Sequence, residues 1–137
     1  MSPDQIARIR ESWQRVLPLA QTVSKLFYQR LFQIDESVGP LFEGVDMVDQ
    51  GRRLVIALGT LVQSLDAPDE LNGILERMGL RHVHYGVTDS QYDSFGAALR
   101  WTLEQVLDDA WTPDTAAAWA AGYALMAVAM RRGAAEA

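Results

Sequence analysis

The chain contains no cysteine. That excludes disulfide frameworks, cysteine-ligated zinc or iron–sulfur centres, thiol catalysis and thioether-linked cofactors. Histidine is nearly as scarce: only His82 and His84 occur, so imidazole chemistry must run through one of them. Twelve Lys and Arg stand against 18 Asp and Glu, giving a net charge of −6 and a pI near 4.8. Such a field repels phosphate backbones and anionic lipid, which argues against nucleic acid and membrane partners. No basic patch followed by an apolar run opens the chain, so a cytoplasmic protein without a signal peptide is expected. The longest uncharged run, Thr115 to Met130, has 16 residues. It is alanine-rich and falls short of the roughly 18 residues a spanning helix needs. There is no Gly-x-Ser-x-Gly elbow and no glycine-rich phosphate loop, and nothing marks a hydrolase.

What remains is an ordinary globular composition: 137 residues, 49% hydrophobic and 22% charged. One domain over residues 1–137 is expected, long enough to bury roughly two-thirds of its unfolded surface. No internal repeat or linker interrupts it. Helix signals divide the chain instead. Ser2-Pro3-Asp4-Gln5 reads as a capping box with proline in the first turn, and Pro18 ends or bends the helix it opens. A second helix runs from about Leu19 to Gln33. Asp35 starts a short turn ending near Gly39-Pro40, and Leu41 to Gly44 form a corner. From Asp46 a long helix carries Leu54, Val55, Leu58, Leu61 and Val62 at spacings of three and four. Leu71, Leu75, Met78 and His82 mark the next, which ends near Tyr85-Gly86. Thr88-Asp89-Ser90-Gln91 reads as a further capping box, opening a helix through Val106. Thr112-Pro113-Asp114 caps the last helix; Gly133 is expected to close it and residues 133–137 to fray. Val83, Tyr85 and Val87 alternate with His82, His84 and Gly86, a pattern a strand would also show. A lone strand has no partner in a helical chain, so an all-α fold is expected.

His82 and His84 lie about 200° apart on a helix and cannot share one ion. His82 continues the apolar stripe, so its imidazole points inward and needs a partner for each ring nitrogen. A core histidine tied to backbone carbonyls meets that need. So does an imidazole with one nitrogen on a buried iron and the other donating to a main-chain carbonyl. His84 faces elsewhere, towards solvent.

Four motifs follow in order: Phe27-Tyr28-x-x-Leu31-Phe32, Pro40-Leu41-Phe42, Gln50-Gly51-Arg52-Arg53-Leu54 and Arg81-His82-x-x-Tyr85-Gly86-Val87. With Tyr92, Trp119 and Tyr123 they make the chain resemble the globin family over about Ile6 to Met130. The likeness is nearest to single-domain bacterial haemoglobins and the haem domain of flavohaemoglobins. The resemblance implies a three-over-three helical sandwich around one non-covalent haem b. It implies that His82 is the proximal iron ligand, that Phe42 packs on the haem plane, and that Tyr92 is a tyrosine beside the ligand histidine. Tyr28 and Gln50 are the implied distal donors, and Leu54 limits the room over the iron. Val87 joins the cofactor-binding set, and Arg53 and Arg81 are the implied partners of the haem propionates.

The implied function is tight, reversible binding of dioxygen and other diatomic ligands at a five-coordinate ferrous iron, with nitric oxide dioxygenation as accessory chemistry. Each distal hydrogen bond in a dry pocket is worth on the order of 1–3 kcal/mol. Two alternatives are a dedicated nitric oxide dioxygenase or nitrite reductase fed by a separate reductase, and a haem-free sensor or interaction module. The chain is expected as a monomer or weak homodimer. It also departs from the related bacterial pattern. A glutamate late in the last helix completes a proximal His–Tyr–Glu network there, whereas this chain has Ala134, with Glu136 two residues beyond. These 137 residues do not reach the flavin and nicotinamide domains of flavohaemoglobins, so an external reductase is expected for any turnover.

Overall fold

In the computed structural model, which describes Met1 to Ala137, the chain folds into six α-helices and no strand. The Ser2–Gln5 capping box forms in both directions, at 3.0 and 3.1 Å, and opens α1 (Pro3–Val16). Pro18 sits in a 3₁₀ turn, Leu17–Leu19, that hands the chain to α2 (Ala20–Ile34). A second 3₁₀ segment spans Glu36–Phe42, carrying on through Pro40 where a corner is expected from the sequence. Asp46 accepts from the backbone N–H groups of Val48 and Asp49 and caps α3 (Met47–Gln63). Pro68 is the first residue of α4 (Pro68–His84), a position where its missing N–H is harmless. Helices α5 (Gln91–Leu107) and α6 (Pro113–Ala134) complete the chain.

Helices α1, α3 and α4 form one layer over α2, α5 and α6. The most extensive pairings are α4 with α6 and α2 with α5, followed by α1 with α6 and α2 with α3. Ile9, Val16, Leu31, Leu71, Leu75 and Leu103 are fully buried where these layers meet. Trp13 and Trp119 pack across the α1–α6 contact, and the Trp119 indole donates to Ser12 Oγ at 2.8 Å.

Two helix crossings are unusually close. A Cβ on Gly51 of α3 would lie 2.6 Å from Ser24 Oγ of α2. A Cβ on Gly79 of α4 would lie 1.9 Å from the Met130 carbonyl oxygen of α6, and one on Gly133 would lie 1.9 Å from that of Glu76. Gly133 therefore does not close α6, as its sequence context suggests. It lies buried inside the helix, which runs on through Ala134, and its missing side chain lets α4 approach. Residues 135–137 lie beyond the helix end and are exposed.

The Thr88–Gln91 capping box forms only by half. Gln91 Oε1 accepts from the Thr88 N–H at 2.9 Å, but the Thr88 hydroxyl lies against Ser90 Oγ, and Ser90 is the N-cap. The amide end of Gln91 goes elsewhere, to Ser37.

Candidate functional site

The close crossing at Ser24 and Gly51 determines the first half of the site. One turn beyond Ser24 on α2 stands Tyr28, and next to Gly51 on α3 stands Gln50. Gln50 Nε2 donates to Tyr28 Oη at 3.1 Å. The phenol oxygen thus serves as acceptor, and the hydroxyl hydrogen has no acceptor in the protein. Tyr28 is 7% exposed, and burial pushes its ionisation above the ordinary tyrosine range, an effect the Gln50 hydrogen bond partly offsets. At neutral pH it is a protonated donor. Three aromatic rings fix its plane: Phe27 at 4.9 Å, Phe42 at 5.3 Å and Phe32 at 6.2 Å between centroids. Phe42 comes from the 3₁₀ segment and also meets Phe32 edge-on at 5.6 Å.

The second half lies on α4. His82 Nδ1 is 2.7 Å from the Met78 carbonyl oxygen one turn back. That contact fixes the tautomer with hydrogen on Nδ1 and leaves Nε2 as a lone-pair donor without a protein partner. Burial pulls the His82 ionisation below the ordinary histidine range; the Met78 contact opposes this and the nearby Arg81 charge adds to it. The ring is therefore neutral at pH 7, the form that coordinates a metal. The helix ends in a Schellman motif: Val87 N–H donates to the His82 carbonyl at 2.9 Å and Gly86 N–H to that of Val83 at 3.0 Å. Gly86 supplies the positive φ of 95° that this turn requires. The period-two pattern around His84 is thus a helix end, and His84 is exposed.

Helices α3 and α4 do not pack extensively on one another, yet both carry apolar side chains that are only partly buried against the core. Leu54, Val55, Ile74 and Met78 are half-buried against it, as are Leu41, Phe42 and Phe95. Val87 is half-buried as well. Tyr92 is 4% exposed, and its Oη is the one buried side-chain polar atom without a hydrogen-bond partner. Its ring lies under Arg131 at 5.2 Å, and its backbone carbonyl accepts from the Tyr123 hydroxyl. Burial raises the ionisation of both phenols. Replacing Tyr92 with phenylalanine removes a hydroxyl that bonds to nothing. In the ligand-free chain it is expected to leave stability unchanged or raise it by about 1 kcal/mol in urea denaturation, whereas a loss of that size would show that the hydroxyl is satisfied.

The two arginines sit differently. Arg53 pairs with Asp49 at 2.8 Å along the exposed face of α3, and Arg81 is exposed without an ion pair. No cluster of three or more His, Asp or Glu could hold a metal ion. An open groove of about 450 Å³ between α5 and α6 touches none of Tyr28, Phe42, Gln50, Leu54, His82 or Val87. Tyr28, Gln50 and His82 are legible in the sequence, but the long-range contact of Gln91 is not. Its partner Ser37 lies 54 residues away in the chain, and no local pattern reports such a contact.

The family model described as Globin matches residues 25–130, which include every residue discussed above from Tyr28 to Tyr92. The chain belongs to the globin family. A flavohemoprotein of Deinococcus radiodurans is 26% identical over 129 residues, 93% of this chain and 32% of its own length. A flavohemoprotein of Rhizobium meliloti is 28% identical over 103 residues, 74% of this chain and 26% of its own. The globin chain thus spans about a quarter to a third of those relatives. An anaerobic nitrite reductase of Oryza sativa subsp. indica is 23% identical over 90% of this chain and 88% of its own length. Among solved structures, a hexacoordinated heme protein from an anhydrobiotic tardigrade superposes with a TM-score of 0.90 at 18% identity. It covers 98% of this globin and 96% of its own chain, and so supports the three-over-three fold.

Proposed function

We propose that this globin holds one non-covalent haem b between α3 and α4 and binds dioxygen and other diatomic molecules reversibly and tightly. The observation that carries the reading is a neutral, half-buried imidazole with a free Nε2, together with a buried Tyr28 phenol whose hydroxyl hydrogen is unspent. The half-buried apolar residues of α3, α4 and the 3₁₀ segment fit a flat apolar macrocycle, and the buried Tyr92 hydroxyl is left without a partner in the chain itself. Cysteine is absent, so no thioether link can form.

A bound ferrous haem supplies reversible coordination of a diatomic molecule. His82 would hold the iron through Nε2, with its other nitrogen anchored on Met78. Tyr28 would donate its free hydroxyl hydrogen to a bound diatomic ligand, and Gln50 polarises that hydroxyl by donating to its oxygen. Leu54 and Phe42 exclude water and so strengthen these bonds. Arg81 is the better partner for a propionate, because Arg53 would first have to leave Asp49. Both histidines stand on α4, so α3 offers no imidazole to the ligand side, which supports a five-coordinate ferrous state as part of this reading. Nitric oxide dioxygenation is the accessory chemistry of a tight oxygen binder. No carboxylate joins Tyr92, since residue 134 is alanine and Glu136 is exposed beyond α6. The arrangement therefore favours ligand binding over peroxidase-like chemistry.

A second reading, a nitrite reductase or nitric oxide dioxygenase fed by a separate reductase, is favoured by the likeness to the rice anaerobic nitrite reductase over most of both chains. Visible spectra of the reduced, haem-loaded protein test the first. A five-coordinate high-spin spectrum that changes on adding oxygen and returns on its removal is expected. A six-coordinate spectrum without added ligand would overturn it.

A further inference from the structure

Gln91 is 3% exposed, and its amide sits between two segments that lie far apart in the chain. Its oxygen accepts from the backbone N–H of Thr88, in the turn that follows His82 and Val87, at 2.9 Å. Its nitrogen donates to Ser37 Oγ at 3.0 Å and to the Ser37 carbonyl at 3.3 Å, in the 3₁₀ segment that carries Phe42. Ser37 is in turn fixed by Asp35, which accepts from its backbone N–H at 3.0 Å and from its hydroxyl, while the second Asp35 oxygen accepts from Ser94 of α5 at 2.6 Å. The same two segments approach at Leu41, whose Cδ2 would lie 3.4 Å from a Cβ on Gly86.

Such wiring does more than cap a helix. An N-terminal cap needs only the bond to Thr88; the bonds to Ser37 tie α5 to the opposite wall. A buried amide bonded at both ends also holds a fixed length, because freeing either end would strand a buried polar group. We propose that Gln91 is a positioning residue, a latch that joins the Phe42-bearing 3₁₀ segment to the turn after His82 and so sets how fast the cofactor leaves. The proposal rests on the haem reading above. Release requires these two walls to part, and Gln91 is the side chain that must let go.

The test combines haem transfer from the loaded protein to an excess of a haem-accepting apoprotein with hydrogen exchange of the haem-free chain. Gln91→Leu is expected to speed haem loss about tenfold and to raise exchange in residues 36–43 and 85–90 together. Gln91→Asn, one methylene too short to span both partners, should behave alike. Ser37→Ala, an exposed position that tolerates substitution, keeps the bond to its carbonyl and should speed loss about threefold. Thr88→Ala retains the backbone donor and should change neither readout. Unchanged haem loss in Gln91→Leu, with faster exchange confined to the first turn of α5, would overturn the latch. Failure of the unaltered chain to take up haem would instead overturn the cofactor reading, and the latch's role in haem release with it, a result told apart by the first titration.

Discussion

Oxygen should leave the Tyr28→Phe variant about tenfold faster or more than the unaltered protein, in stopped-flow displacement of oxygen by carbon monoxide. The loss of one donor hydrogen bond in a water-poor site costs about 1–3 kcal/mol, and each 1.4 kcal/mol is roughly tenfold. Two features place Tyr28 within that range. Burial keeps the phenol protonated well above neutral pH, so the donor is always present. Gln50 occupies its oxygen rather than its hydrogen, so the hydrogen is unspent and the hydroxyl is made a stronger donor. Removing Gln50 alone, as Gln50→Leu, takes away that support and should have a smaller effect of the same sign. The double variant should lose less than the sum of the two, since the residues act as a pair. A dissociation rate that Tyr28→Phe leaves unchanged would remove the phenol from its assigned role.

Alanine at Gly133 is expected to destabilise the protein by about 3 kcal/mol, seen as a melting temperature lower by roughly 10 °C. Alanine normally improves a helix over glycine by about 1 kcal/mol, and here that gain is overwhelmed. The new Cβ would lie 1.9 Å from the Glu76 carbonyl oxygen, which is backbone and cannot swing aside. The helices must separate, and α4 carries Met78 and His82 with it, so haem affinity should fall in parallel. Gly79→Ala meets the reciprocal clash with Met130 and should match it. Gly73 offers the control within α4. Its Cβ would touch only the mobile end of Arg77 at 3.4 Å, so Gly73→Ala should stabilise by about 0.5–1 kcal/mol. Equal effects at positions 73 and 133 would show that the crossing is not tight.

Much of this was written locally in the chain. The capping box at Ser2, the Asp46 cap and the proline starts at Pro68 and Pro113 are short-range chemistry, and the helices begin within two or three residues of those signals. The inward course of His82 follows from its three- and four-residue spacing behind Leu75 and Met78. Its Nδ1 contact with Met78 is the i−4 carbonyl that such a position makes available. Illegible features share one cause: their partners lie far away in sequence. Gly133 looks like a helix stop because glycine commonly ends helices, but its meaning is set by Glu76 on another helix. Gln91 looks like half of a capping box, but its nitrogen serves Ser37. The family resemblance implies a propionate partner for Arg53, while the i−4 carboxylate of Asp49 lies within its reach on the same helix face. The Tyr28–Gln50 pair is intermediate, since the residues were picked out separately and their hydrogen bond depends on the Ser24–Gly51 crossing.

Titrating hemin into the purified chain and into His82→Ala, followed by visible absorption, puts the whole reading at risk. The unaltered globin should develop an intense Soret band that saturates at about one haem per chain, and His82→Ala should lose tight uptake and regain colour when free imidazole is supplied. A chain that stays colourless, or a His82→Ala variant that binds haem as tightly as its parent, would contradict the assignment of His82 as the iron ligand.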